Sequence, residues 1–193
     1  MEDIFNQPTE MVQIRDVSRQ QGEIQRAAQL LKAGELVAFP TETVYGIGAL
    51  GLNVEAVERL YAAKNRPAGK AFSLQVANVN MIQQIAAYVP LMARKLLEKF
   101  APGPITVVLP KAAQVPELVT GGRDTVGIRI PDNPVALAVL QAVGAPLAVP
   151  SANISGHVSP KSGADVFGDM AGRLAMILDG GPCAIGREST IVD

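Results

Sequence analysis

Short apolar runs alternate along this chain with stretches of helical period, and that alternation restricts its fold more than any other feature. Runs at 36–39, 72–77, 105–109, 126–130, 146–149, 174–178 and 190–192 are too short for helices and fit strands. A looser alternation at 11–17 adds another. Between them, Ile24, Ala27, Ala28 and Leu31 share one helical face, with Ser18 placed as a cap and Gly34 as a stop. Asn53 stands before Val54, Val57, Leu60 and Tyr61, and Pro90 before Met92, Leu96 and Leu97. Asn133-Pro134 and Ser162 open two more helices, and 81–87 has helical spacing. Strands that recur between helices predict an α/β fold, a mixed sheet flanked by helices. No repeat, low-complexity stretch or linker interrupts the pattern, so one domain over 1–193 is expected.

Composition narrows the function classes. The chain is 48% apolar and 18% charged over 193 residues, enough for a core without staples. Seventeen basic and 18 acidic residues exclude a wholly basic nucleic-acid surface, though not a local patch. The single Cys183 forms no intrachain disulfide, which fits a reducing compartment. Residues 1–5 are acidic and lack the cationic start of a signal peptide. The longest apolar region, 135–149, is broken by Gln141, Gly144 and Pro146 and is too short to span a bilayer. A cytoplasmic protein without a membrane anchor is expected.

Three segments concentrate polar chemistry beside Gly or Pro: PTETVYG (40–46), KNRP (64–67) and PSANISG (150–156). The first and third follow strand runs, where ligands of open α/β sheets gather. Thr41 and Thr43 could equally serve the turn itself, with Tyr45 packing over it. Lys64 and Arg66 end a helix, an ordinary place for cations, yet with Lys70 and Arg129 they would suit a triphosphate. In the third segment two hydroxyls and an amide offer neutral donors, and Asn and Ser also form such turns by themselves. PGP (102–104) reads as a structural corner. His157 lacks a partner carboxylate nearby in sequence, and Cys183 reads as a small buried residue. No phosphate-binding P-loop or dinucleotide-binding glycine turn is present, and no metal ligands cluster.

Taken in order, PTETVYGIG (40–48), KNRP (64–67), FAPGPITVVLP (100–110), TVGIRIP (125–131), PSANISG (150–156) and STIVD (189–193) resemble the YrdC/TsaC family, the threonylcarbamoyl-AMP synthases. The resemblance covers nearly the whole chain from about residue 20. It implies a twisted sheet with a large concave groove. It also implies an enzyme, a nucleotidyltransferase, that joins L-threonine, bicarbonate and ATP into threonylcarbamoyl-AMP with release of pyrophosphate. A partner enzyme would then pass the threonylcarbamoyl group to tRNA.

By the same resemblance, Thr43, Arg129, Ser151 and Ser189 would surround threonine. Lys64, Arg66, Lys70, Thr125 and Asn153 would surround ATP, with Lys64 and Arg66 catalytic and Mg²⁺ accompanying the phosphates. Two departures stand out. Many relatives carry His near the position of Gln75, and many continue past the equivalent of Asp193 into a strand bearing an Arg. An RNA-binding module on the same scaffold and a YciO-like relative with another substrate are the competing readings. Retention of KNRP and SANISG favours the synthase over the YciO-like reading. Three Tyr, five Phe and no Trp leave little stacking surface for RNA.

Overall fold

The computed structural model describes residues 8–193, so the reading of residues 1–5 lies outside the described residues. In chain order the elements are β1 (Glu10–Gln13), α1 (Gln21–Lys32), β2 (Val37–Phe39), β3 (Gly46–Leu50), α2 (Val54–Ala63), β4 (Leu74–Gln75) and a 3₁₀ segment (Val79–Gln84). There follow α3 (Leu91–Phe100), β5 (Ile105–Pro110), α4 (Glu117–Thr120), β6 (Thr125–Arg129), α5 (Pro134–Val143), β7 (Leu147–Ala148), α6 (Gly163–Met170), β8 (Met176–Asp179) and β9 (Thr190–Val192).

All nine strands join one sheet in the order β1-β8-β2-β3-β7-β4-β6-β5-β9. The β1–β8, β2–β8, β4–β6 and β5–β9 pairs are parallel, and β2–β3, β3–β7, β4–β7 and β5–β6 are antiparallel. The sheet is mixed, as the alternation of runs and helices requires.

Local chemistry accounts for most boundaries. Asn53 caps α2 by accepting from the Ala56 amide, and Asn133 caps α5 by accepting from Val135 and Ala136, with Pro134 at the first position. Ser162 and Asp165 form a reciprocal capping box on α6. Ile24, Ala27, Ala28 and Leu31 are the buried face of α1.

The sequence reading differs from the structure in five places. Ser18 does not cap α1; its hydroxyl donates to Asp16 instead, and Gln20 occupies the cap with no side-chain bond to the helix. The strand at 11–17 shortens to Glu10–Gln13, and the helix at 81–87 is the 3₁₀ segment Val79–Gln84. β3 was hidden by its glycines. A Cβ at Gly46 would lie 2.4 Å from Val149 Cγ1, and one at Gly48 2.9 Å from the Phe39 ring. These glycines admit close packing within the sheet, where the sequence suggests a turn. The four-residue α4 gives no periodic signal. No helix among the described residues is long and apolar enough to cross a membrane.

Candidate active site

The period of two in β6 divides it between two environments. Val126 and Ile128 face the core, while Thr125, Gly127 and Arg129 face a groove of about 450 Å³. Neighbouring strands add Thr106 and Val108 from β5 and Gln75 from β4 to the same floor. The segment 188–193 contributes Glu188, Ser189, Ile191 and Asp193, and the opposite wall is Thr41, Thr43 and Tyr45 with Pro150 and Ser151. A Cβ at Gly127 would sit 3.0 Å from Thr106 Cγ2, so glycine there keeps the floor low.

At one end Arg129 is buried and almost fully engaged. Its Nη2 donates to Glu42 Oε1 at 2.7 Å and to Thr43 Oγ1 at 2.9 Å, and Nε donates to the Gly103 carbonyl at 3.3 Å. The other Glu42 oxygen accepts from the Asp132 amide at 3.1 Å. A carboxylate buried this deeply survives because its charge is paired and both oxygens are bonded. Thr41 belongs to the turn: its hydroxyl bonds the Val44 carbonyl and the Thr43 hydroxyl. The corner at PGP proves to supply the carbonyl that orients Arg129. Arg129 also lines the groove. Ser189 and Thr106 share a hydroxyl contact of 2.8 Å across the floor.

At the other end Arg66 lies half-buried, its guanidinium 4.7 Å over the Phe72 ring. Nε donates to the Lys70 carbonyl at 3.2 Å and Nη2 to the Ala71 carbonyl at 2.8 Å. Tyr61 packs on Phe72 with ring centroids 4.5 Å apart, and its hydroxyl donates to the Lys70 and Leu118 carbonyls. Arg66 therefore has more packing than a helix-end cation needs. Arg123 joins it on the groove wall.

Lys64 and Asn153 do not line the groove. Lys64 is the buried C-cap of α2, and its ammonium donates to the Ser151 and Asn153 carbonyls while its own carbonyl accepts from the Ser155 amide. Burial, with help from the nearby Arg66 charge, pushes this ammonium down to about 8. Asn153 donates to the Ile154 and His157 carbonyls. The SANISG loop is thus shaped from behind by a lysine and an amide, with Ser151 turned to the groove. His157 does have a carboxylate partner: Nδ1 lies 2.7 Å from Asp169 Oδ1, whose other oxygen accepts from the Ile154 amide.

Of the residues singled out in the sequence, Thr43, Arg66, Thr125, Arg129, Ser151 and Ser189 meet in the groove. Lys70 is exposed and is not among the groove-lining residues, though its carbonyl holds Tyr61 and Arg66. Cys183 is half-buried, and burial raises its thiol to about 11, away from nucleophilic use. Arg123, Thr106 and Glu188 were missed, and Gln75, noted in the sequence only as a departure from relatives, also lines the groove. Parity could have found Arg123, which keeps step with Thr125 and Arg129; Glu188 carried no such signal.

A family model named for Sua5, YciO and YrdC and described as "Telomere recombination" matches residues 29–193. The chain belongs to the Sua5/YciO/YrdC family. It is 45% identical over 170 residues to a threonylcarbamoyl-AMP synthase of Pyrococcus abyssi, a match covering 88% of this chain and 50% of that protein. A threonylcarbamoyl-AMP synthase of Bacillus subtilis is 43% identical over 178 residues, covering 92% of this chain and 51% of that one.

The crystal structure of P. abyssi Sua5 complexed with L-threonine is similar with a TM-score of 0.91 at 43% identity, over 96% of this chain and 54% of the other. Escherichia coli YciO is similar at 0.83 with 25% identity, over 97% and 90%. The chain spans about half the length of the two synthases. The groove described above is the face on which this sheet leaves its polar residues.

Proposed function

We propose that this chain makes threonylcarbamoyl-AMP and pyrophosphate from L-threonine, bicarbonate and ATP, as a nucleotidyltransferase serving tRNA modification. The observation that carries the reading is a single groove with two differently built guanidinium ends. Arg129, ringed by Thr43, Ser189 and Ser151, suits an amino-acid carboxylate. Arg66 and Arg123, with Thr125 beside them, suit phosphate. Identity of 43–45% to the synthases against 25% to YciO supports the synthase over a YciO-like activity.

The chemistry asks little of nucleophilic side chains. The threonine amine adds to the carbon of bicarbonate, water leaves, and a carbamate remains. A carbamate oxygen then attacks the α-phosphorus while the bond to the pyrophosphate oxygen breaks. Alignment along one groove and neutralisation of the charge on the phosphoryl oxygens would provide most of the acceleration. Arg66 would meet that charge directly; Lys64 and Asn153 would act by holding the SANISG loop, and Lys70 through its carbonyl. Mg²⁺ would arrive with ATP: no group of three His, Cys, Asp or Glu among the described residues forms a cage, and such ions usually ride on phosphates.

Incubation with ATP, L-threonine and bicarbonate should release pyrophosphate, and leaving out threonine should abolish that release. Release that is indifferent to threonine would refute the reading.

A further inference from the structure

Two glycine turns meet behind the Arg66 end of the groove. Residues 67–70 follow Arg66 and hold Gly69 at φ +80°. Residues 120–123 end α4 and lead into Arg123, with Gly121 at φ +60° and Gly122 at φ +79°. Positive φ explains why glycine suits all three, but their surroundings differ. A Cβ at Gly69 or Gly122 would meet nothing within 4 Å. One at Gly121 would overlap the Gly69 carbonyl oxygen and lie 2.9 Å from its carbonyl carbon and 3.3 Å from the Ala71 amide nitrogen. All of these are backbone atoms, so no rotamer change could make room.

Both cations of this end hang on the backbone that the contact fixes. Arg66 donates to the Lys70 carbonyl at 3.2 Å and to the Ala71 carbonyl at 2.8 Å, the two residues after Gly69. Arg123 stands two residues after Gly121, and its Nη1 donates to the Thr120 carbonyl at 3.3 Å. Further bonds tie the turns together. The Phe72 amide donates to the Val119 carbonyl at 2.7 Å, and the Tyr61 hydroxyl lies 2.6 Å and 3.1 Å from the Lys70 and Leu118 carbonyls.

We infer that Gly121 is a positioning residue for the nucleotide: by admitting the Gly69 carbonyl it sets the spacing of the Arg66 and Arg123 guanidinium groups. That role rests on the proposed placement of the ATP phosphates at this end. Two forked donors share one polyphosphate only when both reach it in line, and a misplacement of about 1 Å can cost on the order of a hundredfold. The Arg129 end should be spared, because Glu42, Thr43 and Gly103 hold it and none belongs to either turn.

The test is calorimetry with ATP and with L-threonine on the parent, Gly121→Ala, Gly69→Ala and Gly122→Ala. Each variant puts alanine at positive φ and should lose some melting temperature. Only Gly121→Ala also displaces the Gly69 backbone. Its ratio of ATP to threonine affinity should fall about tenfold, while the other two stay within about twofold of the parent. Partial unfolding lowers both affinities by one factor and cancels in the ratio. Tyr61→Phe removes the hydroxyl beside Lys70, Leu118 and Arg66, and should lower the same ratio severalfold. An unchanged ratio in Gly121→Ala, or an equal fall in Gly69→Ala or Gly122→Ala, would overturn the inference and leave the proposed activity standing. If Gly121→Ala does not fold, an unchanged ratio in Tyr61→Phe overturns it. ATP affinity indifferent to Arg66→Ala would overturn the phosphate placement, and this role with it.

Discussion

Arg129 and Arg66 stand at opposite ends of one groove, and the surroundings of each assign it a different task. Arg129 is closed in by a carboxylate, a hydroxyl and a carbonyl while still lining the groove. Arg66 has two backbone carbonyls, an aromatic face and the Tyr61 hydroxyl beside it, feels Glu188 through space, and has no carboxylate within ion-pair distance among the described residues. A charge balanced inside the fold supports structure first and offers a directional donor second. A charge held by neutral carbonyls keeps its field for a ligand. Lys64 is a third case, buried like Arg129 but held by carbonyls like Arg66.

If that contrast is right, Glu42→Ala should have the largest effect on stability. It leaves a buried guanidinium unpaired, an error of about 3–5 kcal/mol. Urea unfolding should show it, and an intact midpoint would mean that Arg129 escapes to water and the end is not closed. Arg66→Ala should do the reverse. Pyrophosphate release should fall roughly ten- to hundredfold, because charge-assisted bonds are worth about 1.5–3 kcal/mol, while loss of the contact with Phe72 costs the fold about 1 kcal/mol or less. Parent-like turnover would remove Arg66 from the phosphate end.

Lys64 sharpens the comparison through pH. Its folded value lies near 8, below the ordinary 10.5, so the unfolded chain binds the proton more tightly. Between those values the unfolded state carries more protons, and stability contributed at this site rises with pH across that window. Below 8 the burial penalty is fully present. The stability of the parent relative to Lys64→Met should therefore improve from pH 8 to 10.5, and a flat difference would show an ammonium already at ease in its carbonyl nest. The smallest effect belongs to the outer face of the loop. His157 is exposed, so His157→Ala should cost less than about 1 kcal/mol and leave pyrophosphate release within about twofold. A larger loss of activity would move the working face of SANISG outward.

Legibility followed the range of the interactions. Asn53, Asn133 and Ser162 act within three residues of themselves, and their caps could be read directly. Ser18 misled because Asp16, two residues away, takes its hydroxyl. β3 escaped notice because its glycines answer to Val149 and Phe39, which are distant in sequence or across a strand pair. In the site, hydroxyl-rich loops after strands marked Thr43 and Ser151, and family-ordered motifs marked Arg129 and Ser189. Nothing local could announce that Glu42 would spend its charge on Arg129, 87 residues on, or that Lys64 would turn inward to the Ser151 and Asn153 carbonyls.

By itself the sequence determined the alternation of strands and helices, the polar loops at strand ends and the family motifs, because periodicity and capping are local properties of the chain. Only the tertiary structure decided which cations face the groove and which support it, and that Gly121 would close against the Gly69 carbonyl. Those outcomes depend on which strands become neighbours and on what remains to neutralise a buried charge, and both are settled when distant segments meet.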